Sequence, residues 1–437
     1  MKEDNENIES LSRKSAKGVA ALASRQLILG AISTIASLTI FTILAPREVG
    51  IYTAVIAIQR IISFFTDFGF GAALIQKKNE VTREDIMTSF TFQSSITLGI
   101  FILAFIFRQS IADFFRLNSD GMILLLALAF TIFLSSFKTI PSVLLERKIH
   151  FHRLVLPQIL ESLVFNTILI TLVTRGNGLS SFTWAFLASS FISIPLYYYI
   201  NPWPISLGIS KSSIIHLKFG LQFQLKNILA TIKDDLLTVI LTKILTFTEI
   251  GYIGFAQRLS FLAYRYIVDS VTKVSFSTYS RLQNDSILLS HAIEKTLFFV
   301  SLVMFPILIG LALAGPALIS NIPQWNHKWG IASISLVFFS LNAVVSSLSG
   351  ILVNVLDSNG KVKTTLKLMV IWTILTWTLT PFLIMLFGFN GVAIASFLVT
   401  LTIFYTIHLV REVVRFDFWK SIKYPLIATS IMASVLF

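Results

Sequence analysis

Twelve apolar runs, each about as long as a bilayer's hydrocarbon core requires of a helix, recur along this chain with short connections between them. They cover 19–44, 49–75, 86–107, 121–145, 154–174, 180–200, 219–246, 250–276, 293–313, 330–356, 366–387 and 390–410. A last apolar run, 424–437, meets the C-terminus after 14 residues, which is short of a comfortable span. The expectation there is a further helix cut short, or one lying in the interface. Charged residues make up 13% of the chain, against about 25% in ordinary soluble domains, and 55% of it is hydrophobic. The fold class that follows is an all-α integral membrane protein of about twelve transmembrane helices.

Several function classes drop out at once. The chain has no cysteine, so disulfides and thiolate metal sites are excluded. His150 and His152 are the only close histidine pair, and in a basic loop they read as a solvated juxtamembrane face, so no metal is expected. The net charge of +13 suggests nucleic acid at first sight. The basic residues, however, sit in short loops between apolar runs, where membrane topology accounts for them.

With the N-terminus inside, 20 Lys and Arg fall in cytoplasmic loops and six in the opposite set. The first 18 residues are polar, and the apolar run after them is too long for a signal-peptide core. They read as a cytoplasmic N-terminal segment before an uncleaved first span. The expected topology is multi-pass, with the N-terminus cytoplasmic.

An internal echo organises the rest. Ile43–Gly50 reads ILAPREVG and Ile244–Gly251 reads ILTFTEIG. Each ends one apolar run and launches another that carries charges. Six spans separate the copies, an even number, so the halves are expected to be parallel repeats about an axis along the membrane normal. The predicted organisation is a six-helix bundle over 19–200, a cytoplasmic linker at 201–218, a second six-helix bundle over 219–410, and a basic segment with a short apolar helix over 411–437. The two bundles would enclose a central cavity. Loops of at most about twenty residues leave no room for a soluble catalytic domain, and no G-x-x-x-x-G-K-[ST] phosphate loop is present. Neither enzymatic activity nor a cofactor is expected.

Charges within spans mark candidate sites, because each costs about 2.5–3.5 kcal/mol at bilayer depth if left facing lipid. In span eight, Arg258, Leu262, Arg265, Asp269 and Lys273 recur at intervals of four, three, four and four, which places them on one face. That row either neutralises itself or forms the cationic wall of a water-filled passage. Span two offers Gln59, Arg60, Ser63 and Asp67. Arg25 lies near the cytoplasmic end of span one, where snorkelling is the plainer reading. Span seven carries Gln222, Gln224, Lys226, Asn227, Lys233, Asp234 and Asp235. Its adjacent carboxylates suit either ion coupling or a network with Lys233. Span ten shows Asn342, Ser346 and Asn354, a neutral polar face fit for sugar hydroxyls or for helix–helix hydrogen bonding. Glu161 in span five is an acid with no obvious partner in sequence. Pro306 and Pro381 would kink spans nine and eleven.

The run LxxxEVGxYxxxxAIxxxxxxxxDFGFGAALIQKK, Leu44–Lys78, resembles the first helical hairpin of bacterial Wzx-type polysaccharide flippases. These form the polysaccharide-transporter branch of the multidrug/oligosaccharidyl-lipid/polysaccharide exporter superfamily, and the colanic-acid exporters are the subgroup most alike. ILxxxEIGYxxxAQR at the second repeat, LALAGPALI with Trp325 and Trp329 downstream, and FGFNGVAIA at the start of span twelve are similar too. The resemblance implies a flippase that moves undecaprenyl-diphosphate-linked oligosaccharide from the inner to the outer leaflet by alternating access, for surface polysaccharide biosynthesis. It also implies a cationic central cavity. Arg60, Arg258, Arg265, Lys233 and Arg25 are then candidates for the diphosphate, and Asn342, Ser346 and Asn354 for the sugars. Asp67, Asp234, Asp235 and Asp269 are candidates for ion coupling. The implied partners are the polyprenyl-diphosphate-linked glycan, membrane lipids and the polysaccharide polymerase and export machinery. Trp325-Asn-His-Lys-Trp329 departs from the family's usual Gly-x-x-Trp loop. Two other readings stay open: a cation-coupled multidrug exporter of the same superfamily, and a membrane-embedded glycosyltransferase or polymerase.

Overall fold

Both copies of the echoed motif open a helix, and their glutamates do the same work. The Ala45 N–H donates to Glu48 Oε2 at 2.9 Å, and the Thr246 N–H donates to Glu249 Oε2 at 2.7 Å. In the second copy the Thr246 hydroxyl also accepts from the Glu249 N–H at 3.3 Å, completing a capping box. Each glutamate thus satisfies a backbone donor just ahead of its helix and places negative charge near the positive end of the dipole.

The computed structural model describes residues 28–66, 74, 80–148, 150–210 and 231–436, and its described residues contain helices and connections with no strand. Arg25, Asp67, Gln222, Gln224, Lys226 and Asn227 lie outside the described residues. In chain order the helices are α1 (Ile28–Ile43), α2 (Pro46–Thr66), α3 (Arg83–Ile106), α4 (Arg108–Phe115), α5 (Ser119–Arg147), α6 (Phe151–Thr174) and α7 (Ser180–Ile200). A π-helical turn, Ile232–Leu236, leads into α8 (Leu237–Ile244). Then come α9 (Phe247–Leu282), α10 (Ser286–Asn321), α11 (Pro323–Trp329), a 3₁₀ turn, α12 (Ser333–Ser358), α13 (Val362–Phe387), α14 (Asn390–Thr400), α15 (Ile403–Arg411) and α16 (Phe418–Leu436). Among the described residues seven helical segments are long and apolar enough to cross a membrane. α9 and α10 have 36 residues each, so at 1.5 Å per residue they run about 54 Å and outreach the roughly 30 Å hydrocarbon core. Pro306 sits inside α10 and Pro381 inside α13, and both helices continue past them. Residues 424–436 prove to be the C-terminal part of a 19-residue helix that begins at Phe418.

The chain divides into two units: the residues through Leu44 together with Ile51–Lys243, and Ala45–Gly50 together with Ile244–Phe437. In the first unit α5 packs on α3 and α7, and α6 on α7. In the second, α12 is the central helix, flanked by α9, α10 and α14, while α16 lies along α10. Leu297, Val300, Met304 and Leu308 of α10 bury against Ile351, Leu352 and Val355 of α12, with Val268 of α9 completing the cluster. The tryptophan segment that departs from the family loop forms α11. Trp329 is fully buried and stacks on Phe255 at 4.4 Å, and Trp325 meets the same ring edge-on at 5.5 Å.

Within the second unit the glycine of each echo copy sits against the other copy. A Cβ on Gly50 would overlap the Phe247 carbonyl, and one on Gly251 would overlap the Pro46 carbonyl. Pro46 and Phe247 hold equivalent places in the two copies, as do Gly50 and Gly251, so the contact is reciprocal. Only glycine permits so close a backbone approach.

Candidate functional site

The charge row of α9 is present as a helix face. Arg258 is half-buried, and Arg265, Asp269 and Lys273 are exposed. Lys273 and Arg265 stand four residues to either side of Asp269, one turn away on the same face. The row carries three cations and one anion, so it keeps a net positive charge after internal pairing. Several charges on one helix face are costly against hydrocarbon. The row therefore fits a hydrated or polar surface better than a lipid-facing one.

In the first unit the span-seven charges sort themselves between two partners. Arg60 Nε of α2 stands 3.1 Å from Asp235 Oδ1, and Lys233 Nζ stands 3.2 Å from Asp234 Oδ1. Asp235 is the more enclosed carboxylate, at 16% side-chain exposure against 67% for Asp234. Lys233, Asp234 and Asp235 are consecutive within the five-residue π-turn Ile232–Leu236. Such turns recur at functional sites because they redirect side chains out of helical register. Gln59 donates to Ser63 at 3.0 Å on the same helix as Arg60.

The neutral face of span ten is engaged in packing. Asn342 donates to the Ser396 carbonyl at 2.7 Å, tying α12 to α14. Asn354 donates to the Thr272 carbonyl at 2.9 Å and to the Ser275 hydroxyl at 2.8 Å, tying α12 to α9. Both asparagines are buried, so their amide donors serve helix–helix hydrogen bonding, the packing alternative for this face. Ser346 is half-buried on the same helix.

Glu161, without an obvious partner in sequence, accepts a 2.6 Å ion-paired hydrogen bond from Lys138 Nζ of α5. Lys138 is 14% exposed. It stands inside the apolar run 121–145, and that position alone is the signal that marks it. Among the described residues no group of three or more His, Cys, Asp and Glu side chains is arranged to hold a metal ion.

Residues 39–329 match the family described as polysaccharide biosynthesis protein. The chain belongs to that family. As a polysaccharide biosynthesis protein it is similar to the lipopolysaccharide biosynthesis protein WzxC of Escherichia coli (strain K12). The two are 21% identical over 354 residues, covering 78% of this chain and 70% of that protein. It is also 23% identical to an uncharacterized membrane protein in the cps region of Klebsiella pneumoniae, over 73% of this chain and 66% of that protein. Its fold is shared with the lipid II flippase MurJ in an inward closed conformation, at TM-score 0.76 and 17% identity over 97% of this chain and 93% of that one. A multidrug resistance MATE family transporter of the MOP superfamily, inward-facing, gives TM-score 0.69 and 14% identity over 90% and 98%. The resemblance drawn from Leu44–Lys78 is borne out: this polysaccharide biosynthesis protein is a Wzx-type member of that superfamily, an all-helical multi-pass membrane protein.

Proposed function

We propose that this chain is a flippase that carries undecaprenyl-diphosphate-linked oligosaccharide from the inner to the outer leaflet of the cytoplasmic membrane by alternating access, with its N-terminus in the cytoplasm. The observation that carries the reading is the net-positive row Arg258, Arg265, Lys273 and Asp269 on one face of a helix in a chain of this family. A prenyl tail stays in the bilayer unaided, since each buried methylene contributes about 0.8 kcal/mol. A diphosphate with several sugars does not cross hydrocarbon alone. Arginine suits the diphosphate because its fork grips phosphate oxygens in pairs, while lysine acts as a point charge.

In this reading the protein performs no covalent chemistry and acts as a transporter. Asp234 and Asp235, with Lys233 and Arg60 beside them, are the proposed ion-coupling group of the first unit. Asp269 is the corresponding acid of the second. Purified protein reconstituted in liposomes with a fluorescent undecaprenyl-diphosphate glycan is expected to move label to the far leaflet. Failure to do so, with efflux of cationic dyes instead, would establish the multidrug-exporter reading that the MATE-like fold keeps in play. New glycosidic bonds in the same vesicles would establish the glycosyltransferase reading.

A further inference from the structure

Beyond α7 the chain does not hang free. The Asn201 amide donates to the Pro141 carbonyl at 3.0 Å, and Trp203 is buried with its ring edge-on to Phe90 of α3 at 5.2 Å. From Pro202 to Ser210 the chain is free of helix and turn, and it follows α3 towards that helix's N-terminal end. The Gly208 N–H donates to the Thr91 hydroxyl and the Ser210 N–H to the Thr88 hydroxyl, each at 2.9 Å. The Ser210 hydroxyl donates to Glu84 Oε2 at 2.8 Å. Glu84, Thr88 and Thr91 recur at intervals of four and three, which is one face of α3. The other side of the segment is apolar. Ile205 is 53% exposed, Leu207 70% and Ile209 64%, while Ser206, Gly208 and Ser210 between them are half-buried. An alternation of period two separates two faces of a non-helical segment.

We propose that residues 203–210 form a membrane-surface strap, held to α3 along one side and seated by Ile205, Leu207 and Ile209 in the lipid–water interface along the other. The depth of the contact selects this partner. α3 crosses the membrane, and its 24 residues run about 36 Å, somewhat more than the roughly 30 Å hydrocarbon core. The strap covers only Glu84 to Thr91 of that helix, within about 12 Å of its start. Amphipathic segments at the headgroup boundary bury their apolar face about 5–10 Å deep, which is the same level. Tyr199, 86% exposed just ahead of the strap, belongs there too, because tyrosine favours the interface. The backbone agrees. Pro202 and Pro204 have no N–H, and those of Gly208 and Ser210 are paired with threonines. Interfacial water meets the remaining donors, which hydrocarbon would leave unpaired. The strap fixes the connection after α7 as far as Ser210, and it does so whatever the protein carries.

The chain has no cysteine, so single spin labels can be placed without background. Ile205→Cys, Ser206→Cys, Leu207→Cys, Gly208→Cys and Ile209→Cys are each labelled in the full chain and reconstituted in nanodiscs of phosphatidylethanolamine and phosphatidylglycerol. Collision with oxygen, which concentrates in the bilayer, is expected to peak at 205, 207 and 209 and to dip at 206 and 208. A water-soluble nickel chelate should reach 205 least and 209 most, since the strap rises towards Glu84. Nickel access that dominates at all three apolar positions would overturn the proposal by placing that side in water. Poor access to both reagents there would overturn it by showing that protein covers the strap. A second measurement needs no variant, so it decides even if a cysteine prevents folding. Wild-type protein in nanodiscs containing a phospholipid with a diazirine near the glycerol end of its acyl chain is expected to carry adducts on Ile205, Leu207 or Ile209. Adducts on the exposed residues Leu98 and Ile102 of α3 with none over 203–210 would also overturn it.

Discussion

Gly50 and Gly251 pack backbone to backbone: a Cβ on Gly50 would stand 2.9 Å from the Gly251 nitrogen, and one on Gly251 3.2 Å from the Gly50 nitrogen. The flanking carbonyls of Phe247 and Pro46 stand closer still. Any side chain at either position must push apart two helix starts whose capping glutamates fix them in place. Gly50→Ala and Gly251→Ala are each expected to destabilise the protein by about 1–3 kcal/mol, the usual cost of overpacking, read as a lower thermal midpoint in detergent. Gly99 is the control. It lies within α3, where an added Cβ would meet nothing within 4 Å, so Gly99→Ala should be neutral or gain up to about 1 kcal/mol from helix propensity. Equal midpoints for all three variants would show that the crossing is loose.

The echo was legible in sequence because its parts act locally. Glu48 and Glu249 cap three residues back, and the glycines are marked by type alone. The partners of the in-span charges were not legible, because they come from other helices. Arg60 finds Asp235 from a different part of the first unit, and Glu161 finds Lys138 from the preceding helix. Helical periodicity reports which residues share a face and is silent on what that face meets. The asparagines of α12 show the same limit. Their polar face was visible, whereas their engagement with Ser396, Thr272 and Ser275 depends on how α14 and α9 pack.

Lys138 and Glu161 provide a sharp test of charge burial. Removing one partner leaves an uncompensated charge, so Lys138→Met or Glu161→Leu alone is expected to cost about 3 kcal/mol or more. The double variant replaces both with apolar groups and should recover much of that loss, a coupling of about 0.5–3 kcal/mol in a double-mutant cycle. Chemical denaturation in a mild detergent series supplies the four stabilities. Additive single effects would show that the pair is not formed in solution.

Arg60 and Asp235 should behave differently. The arginine is 54% exposed, and pairs of that exposure are worth at most about 1 kcal/mol. Asp235→Asn is therefore expected to leave the thermal midpoint nearly unchanged. If Asp235 couples transport to an ion gradient, the same variant loses the stimulation of liposomal transport by an imposed proton or sodium gradient while uncoupled exchange survives. Stimulation that persists in Asp235→Asn and in Asp234→Asn would remove both acids from the coupling role.

Asn354 separates packing from sugar recognition. Its amide bridges α12 to the Thr272 carbonyl and the Ser275 hydroxyl, so Asn354→Ala removes both cross-helix hydrogen bonds in a buried place and leaves Ser275 only its own bond to the Thr272 carbonyl. The expected cost is about 1–3 kcal/mol, with translocation per folded molecule unchanged. A variant of normal stability that loses glycan transport would restore the sugar-binding role.

The arginines of α9 decide the functional reading itself. Arg258 and Arg265 lie seven residues apart, two turns of one face, and the row they belong to stays net positive with Asp269 included. A diphosphate needs at least one bidentate cation when its water is stripped away. Arg265→Ala and Arg258→Ala are accordingly expected to abolish translocation of the lipid-linked glycan in reconstituted vesicles while expression and thermal midpoint hold. Arg265→Lys keeps the charge without the fork and should retain a measurable fraction of the rate. The ordering arginine above lysine above alanine distinguishes phosphate recognition from simple charge balance, in which lysine would equal arginine. Wild-type rates in both alanine variants would mean that the headgroup travels by another surface.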